Sequence, residues 1–296
     1  VSPRLATSVG RLNVAGPVGL AAGLDKNAEY LQELAALGFG HVEIGTVTPK
    51  AQPGNELPRL FRLKDDRALI NRMGFNNHGV DYAVERLKNR PKNIIIGGNI
   101  GKNKVTPNEE ALNDYLICHR ALFPHVDYFT INVSSPNTPG LRELQDKKPL
   151  SELLGALQNQ KQELGVSKPH LLKVAPDLSD GQIRDIADLV NEGLVEGLIV
   201  SNTTIDRSGL KCSPDELERI GNGGLSGRPV LEKSNEVLSK FRALIPEKPI
   251  IGVGGIEDFE SARSKFKAGA NLIQVYTGFV YSGPKIVKNL SGAWKN

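Results

Sequence analysis

Short apolar runs alternate with stretches of helical periodicity along most of this chain. The runs are Val18–Leu20, His41–Ile44, Asn93–Ile96, Tyr128–Ile131, Leu171–Val174, Leu198–Val200, Ile250–Val253 and Leu272–Val275. Helical patterns cover Asn27–Leu37, Glu109–Arg120, Ser151–Leu164, Ser179–Asn191, Leu231–Leu244 and Asp258–Lys267, and a last one starts near Pro284. The runs are apolar at successive positions, as strands buried on both faces are. Eight such strands with helices between most of them predict an α/β fold, a single-domain (β/α)8 barrel spanning 1–296. Local punctuation agrees. Ser179 or Asp180 can cap one helix and Asp258 the next, which Ala268-Gly269-Ala270 ends with a glycine stop. Two long segments, Thr46–Asn93 and Asn202–Pro229, interrupt the alternation. Both begin at the C-terminal end of a predicted strand, the face where barrels carry their chemistry.

Composition narrows the class. The 296 residues hold 37 Lys and Arg against 33 Asp and Glu, a net charge of +4 spread along the chain. A nucleic-acid partner would need a clustered basic stripe. Hydrophobic residues at 39% and charged residues at 24% describe a globular protein. No apolar run approaches the ~18 residues that cross a bilayer. Cys118 and Cys212 are the only cysteines, far apart, so neither a disulfide scaffold nor an iron–sulfur cluster, which takes about four ligands, is expected. The five histidines lack zinc-ligand spacing, and no metal is expected.

Candidate chemistry sits at the predicted strand ends. Ala21-Ala22-Gly23-Leu24-Asp25-Lys26 follows the first strand; its small residues admit a flat ligand, and Lys26 offers a cation or is merely solvated. The Asn71–Asn77 loop sets amides around Gly74, or is an ordinary turn. Asn99, Asn132 and Asn202 each follow a strand, and their amides suit a heterocycle with alternating C=O and N–H groups. Lys173 lies inside an apolar run, either as an anion partner or as a Schiff-base amine. Gly-rich turns at Gly224–Gly227 and Gly252–Gly255, with Gln274–Gly278, come where barrels of this kind bind phosphate. The absence of a paired carboxylate or a His couple favours chemistry that leans on a cofactor.

These motifs, with Glu43-Ile44-Gly45-Thr46-Val47-Thr48-Pro49, Asn71-Arg72-Met73-Gly74-Phe75, Asn132-Val133-Ser134-Ser135-Pro136-Asn137 and Ser201-Asn202-Thr203-Thr204, make the chain resemble dihydroorotate dehydrogenase, class 2, over Gly19–Thr277. The resemblance implies one FMN per chain, touched by Ala21, Ala22, Gly23, Leu24, Asp25, Thr46, Asn99, Asn132, Lys173 and Ser201. Its phosphate would lie on Gly227, Gly255, Tyr276 and Thr277. Lys173 would face the N1/O2 edge, where a fixed cation stabilises the charge that reduction adds. Dihydroorotate would meet Lys26, Asn71, Arg72, Met73, Gly74, Phe75, Asn132, Asn137, Asn202 and Thr203. Ser135 would be the catalytic base, where class 1 relatives carry Cys. The implied reaction yields orotate in pyrimidine biosynthesis and sends electrons to a quinone.

Class 2 members carry an N-terminal helical extension that forms a quinone tunnel and touches the membrane. This sequence starts at Val1, just before the first predicted strand, so the extension either lies outside these residues or is lacking in this member. The intact protein would then sit peripherally on the cytoplasmic membrane, and this chain alone would be soluble. A Schiff-base aldolase built on Lys173 and a non-catalytic flavin-binding module are the rival readings. Fumarate or NAD in place of quinone is the third.

Overall fold

The computed structural model describes residues 7–9 and 12–295. The described residues open with an antiparallel strand pair, β1 (Thr7–Val9) and β2 (Leu12–Val14). Leu12 and Val14 pack against Tyr128, Leu171 and Ile251 at the floor of the barrel. The first barrel strand, β3 (Val18–Leu20), leads to α1 (Leu31–Ala36) and β4 (His41–Val47). A hairpin, β5 (Leu60–Leu63) and β6 (Ala68–Asn71), precedes α2 (Val80–Leu87). Then β7 (Ile95–Ile100), α3 (Ala111–Leu122), β8 (Tyr128–Asn132), α4 (Lys147–Glu163), β9 (His170–Val174), α5 (Asp180–Asn191) and β10 (Gly197–Val200) alternate. A short helix α6 (Pro214–Ile220) and strand β11 (Gly224–Gly227) come before α7 (Leu231–Leu244). The chain ends with β12 (Ile250–Val253), α8 (Phe259–Lys267), β13 (Leu272–Val275), α9 (Thr277–Ser282) and α10 (Lys285–Leu290).

Eight of these strands close into a barrel in the order β10-β12-β13-β3-β4-β7-β8-β9, with parallel neighbours throughout. They are the eight predicted from apolar runs. Their side chains are buried on both faces because helices cover the outside and side chains fill the inside. The interior is crowded enough to require glycine. A Cβ on Gly19 would stand 2.1 Å from the His41 ring, and one on Gly97 would stand 2.2 Å from Tyr128.

The predicted caps form. Ser179 accepts from the Gln182 amide and Asp258 from Ser261, each a reciprocal capping box. One helix is shorter than its periodicity suggested. Asp25 accepts the backbone N–H groups of Glu29 at 2.8 Å and Tyr30 at 3.0 Å. That holds the preceding turn with Ala28 at φ +60°, so the helix starts at Leu31 and not at Asn27.

The two long segments are not bare loops. Strands β5, β6 and β11 pair into a three-stranded antiparallel sheet, with β6 in the middle. This sheet joins the loop after β4 to the loop after β10. Its end residues Asn71 and Gly227 both reach the wall of the cavity at the strand ends.

Candidate active site

Loops from the C-terminal ends of the barrel strands converge on one cavity of about 1020 Å³, its open mouth included. Ala21, Ala22, Gly23 and Lys26 enter after β3, and Thr46 from β4 itself. The end of β6 supplies Asn71 and the loop after it Met73, Gly74 and Phe75; Asn132 is the last residue of β8 rather than following it, and the next loop brings Ser135 and Asn137. Lys173 comes from β9, followed by Ser201, Asn202 and Thr203 after β10. Gly227, Gly255, Tyr276 and Thr277 complete the expected set.

Four residues expected at this wall stand behind it. Asp25 is buried and spends its carboxylate on the Glu29 and Tyr30 amides; burial, first, raises its pKa. Leu24 packs against the main core cluster. The Arg72 guanidinium points away, donating to the carbonyls of Pro58 at 3.1 Å and Ile220 at 2.6 Å while covering the Phe61 ring. Asn99 does not follow its strand but lies within β7, fully buried, because the strand runs on to Ile100. There it donates to Glu43 at 2.8 Å and accepts from Thr46 at 2.5 Å. Its side chain is thereby committed to Glu43 and Thr46.

What lies behind the wall explains its rigidity. Glu43 of β4 is fully buried and pairs with the Lys173 ammonium at 3.4 Å. Its carboxylate also accepts from Asn99 at 2.8 Å, Gln274 and Thr130 at 3.0 Å, and Tyr128 at 3.3 Å. Burial works to raise the Glu43 pKa, but Lys173 and the hydrogen bonds from Gln274, Asn99 and Thr130 outweigh it and hold the group below the usual carboxylate range. Glu43 and Gln274 stood in expected motifs, but neither was expected to have a role of its own. Each is a lone polar residue inside an apolar strand run, the same signal that singled out Lys173.

A second support fixes the loops. Arg142 donates to the carbonyls of Ser134 at 3.1 Å and Thr203 at 3.0 Å, and pairs with Asp177 at 3.0 Å. Asp177 in turn accepts from Lys233 at 2.8 Å and Thr204 at 2.5 Å. Burial raises the Asp177 pKa, yet Lys233, Thr204 and the Ile205 amide pull it below normal. The amides are linked across the cavity. Asn137 donates to Asn71 at 2.9 Å, Asn132 to Thr46 at 2.8 Å, and Asn202 to Ser134 at 2.9 Å. Gly74 and Phe75 both take positive φ, and Gln52 fixes that bend by donating to their carbonyls at 3.1 Å each.

The donor set suits a planar heterocycle carrying a phosphate. Gln274 lines the cavity, and its Oε1 is buried without a partner, an acceptor for a ring N–H. Lys173 Nζ lines the same cavity with Glu43 as its one described side-chain partner, leaving N–H groups for a ring oxygen or anionic nitrogen. Gly254 and Gly255 turn with φ of +109° and +76° at the cavity wall, beside Tyr276, Thr277 and Gly278, which offers backbone N–H groups to an anion.

A closed parallel barrel with a buried cation at its strand ends and glycine turns after its last strands has the build of a barrel enzyme whose site lies at the C-terminal ends of its strands. Comparison with known proteins narrows this further. The dihydroorotate dehydrogenase family matches residues 4–293, and the chain belongs to that family. It is 55% identical over 290 residues to a dihydroorotate dehydrogenase (quinone) of Christiangramia forsetii, covering 97% of this chain and 84% of the relative. To the dihydroorotate dehydrogenase (quinone) of Shewanella amazonensis it is 49% identical, covering 99% of this chain and 87% of that protein. The crystal structure of DHODH from Eimeria tenella in complex with ferulenol superposes with a TM-score of 0.92 at 38% identity, over 99% of this chain and 84% of the other.

The buried pair generates a stability prediction. Glu43→Leu leaves the Lys173 ammonium without its counter-charge, and breaking such a pair from one side costs about 3–5 kcal/mol. Urea denaturation should show that loss in Glu43→Leu and recovery of much of it in the double variant Glu43→Leu/Lys173→Met.

Proposed function

We propose that the cavity binds one FMN per chain with (S)-dihydroorotate against it, and that the enzyme oxidises dihydroorotate to orotate and delivers the electrons to a quinone, a step of pyrimidine biosynthesis. The observation that carries this reading is the composition of one wall: a buried lysine, a ring of asparagines and a glycine-rich anion turn meet in a single cavity of a dihydroorotate dehydrogenase chain. The relatives named as quinone enzymes support the acceptor. Gly227, Gly255, Tyr276 and Thr277 would hold the phosphate, and Ala21, Ala22, Gly23, Thr46, Lys173 and Ser201 the rings. FMN, when bound, supplies the hydride acceptor.

The chain's own residues do the rest. Asn71, Asn132, Asn137, Asn202 and Thr203 orient the substrate's ring amides, while the Met73–Phe75 bend closes over it. Lys26 pairs with the substrate carboxylate. Ser135 takes the proton from C5 as hydride leaves C6. As its Oγ takes that proton, Ser135 passes its own hydroxyl proton to water; the Oγ accepts the Asn137 amide at 3.2 Å, a donor that favours the deprotonated oxygen able to act as base. Arg142 keeps Ser135 and Thr203 in register by holding the two loop carbonyls.

Electrons reach a membrane-dissolved acceptor most directly from a protein on the membrane surface. We place the intact enzyme peripherally on the cytoplasmic membrane through an N-terminal helical segment. Among the described residues no helix is long and apolar enough to cross a membrane.

Three measurements test the reading. The purified protein should show a flavin spectrum that bleaches with anaerobic dihydroorotate and returns with a short-chain quinone. A colourless protein, acid release of FAD, or preferred turnover with fumarate or NAD would overturn it.

Burial, and then the Arg59 charge, lower the Lys26 pKa from 10.5 to about 8. The cationic form binds the carboxylate, so orotate affinity is full below that value and is lost above it. The dissociation constant should rise roughly tenfold between pH 7 and pH 9. In Lys26→Ala it should be about 10- to 150-fold weaker at pH 7 and nearly flat with pH. Equal affinity in the variant removes Lys26 from the site.

Ser135→Ala should keep FMN, while stopped-flow reduction by dihydroorotate slows by about 10²–10⁴, the usual worth of a positioned base. Ser135→Cys should retain part of the rate. Reduction as fast in Ser135→Ala as in wild type excludes the role.

A further inference from the structure

Lys265 is a fully buried lysine on α8 that the reaction above leaves unused. Among the described residues no carboxylate pairs with it. Its ammonium donates to Ser234 Oγ at 2.8 Å, and Ser234 Oγ donates to the Val253 carbonyl at 2.6 Å. Its stem lies flat on β12, where a Cβ on Gly252 would stand 2.4 Å from Lys265 Cγ. Ser234 also backs the next residue of the turn, for a Cβ on Gly254 would meet Ser234 Oγ at 3.1 Å. The charge therefore stands one hydroxyl away from the Gly254–Gly255 turn, on the side opposite the cavity.

An unpaired buried ammonium is costly to a fold, and a methionine of the same length would fill the space at less cost. Its retention calls for an anion nearby, and the turn it backs is the one suited to hold a phosphate.

We propose that Lys265 is a positioning residue for the FMN phosphate: it supplies a fixed positive charge behind the Gly254–Gly255 turn and, through Ser234, pins the Val253 carbonyl so that the turn's amides face the cavity. This rests on the reading that the phosphate of FMN occupies that turn. The protonation behaviour of the group agrees. Burial alone lowers the Lys265 pKa from 10.5 to about 7, and a phosphate beyond the turn favours the charged form.

The test compares FMN with riboflavin, which has the same rings and no phosphate. Apoprotein is titrated with each, following flavin fluorescence, in wild type, Lys265→Met and Lys265→Gln. Glutamine keeps a donor for Ser234 and loses the charge. Both variants should bind FMN about 10- to 30-fold more weakly, the worth of one charge at this range in a partly screened interior, with riboflavin affinity unchanged. The thermal midpoint of the Lys265→Met apoprotein should equal or exceed that of wild type, which a purely structural lysine would not allow.

If FMN preference survives in both variants, or is lost only in Lys265→Met, the charge role is overturned. If the two flavins lose affinity together, Lys265 is structural and the proposal fails. Should Lys265→Met not fold, Lys265→Gln alone decides. A wild-type apoprotein that binds FMN no better than riboflavin would instead overturn the phosphate assignment itself.

Discussion

A carboxylate and an ammonium removed from water together constrain everything above them in this barrel. Moving either ion alone into the interior costs several kcal/mol, and their attraction offsets this only when every remaining hydrogen-bonding position is filled. Glu43 meets that condition with Lys173 and four further donors, drawn from β7, β8 and β13. Counting β4 and β9, five of the eight barrel strands must hold their relative height for the pair to form. The cavity floor inherits that precision. Lys173 cannot swing toward solvent without abandoning Glu43, so whatever binds above it meets a cation already in place.

The upper wall achieves order by another route. Its amides are bonded to one another and to loop carbonyls, with Arg142 tying the loop after β8 to the loop after β10. Loops usually carry function at the cost of mobility. Here a guanidinium fork with its own half-buried counter-ion, Asp177, makes two loops behave as one body. Orientation is fixed before a ligand arrives, which removes part of the entropy cost of bringing reacting atoms together.

The strands were legible because being covered on both faces leaves one signature, an unbroken apolar run. Seven helices were legible from periodicity and caps, although Asp25 captured two amides and delayed α1; the short α2, α6 and α9 were not. The sheet of β5, β6 and β11 was not legible. Its strands are four residues each, β5 is largely exposed, and Asn71 meets Gly224 across a separation of 153 residues. Nothing local encodes such a pairing. The site divides in the same way. Lys26, Lys173 and the strand-end amides announce themselves by residue type and position. Glu43, Gln274 and Arg142 act through partners far away in sequence, and nothing local shows that the Asn99 amide turns to Glu43 or the Arg72 guanidinium to the Pro58 and Ile220 carbonyls.

The order in which the chain is made adds a last consequence of the barrel's closure. β3, near the start, is hydrogen-bonded to β13, near the end, and the cavity wall runs from Ala21 to Gly278. A nascent polypeptide leaving the ribosome therefore carries most of its helices before it has any site at all. The first barrel strand waits beside an open edge until residues 272–275 emerge, and the Gly254–Gly255 turn lacks its neighbours Tyr276, Thr277 and Gly278 until then. Cofactor capture is thus reserved for finished molecules, and a fragment truncated before Leu272 would be left with an unpaired strand edge and nothing to bind.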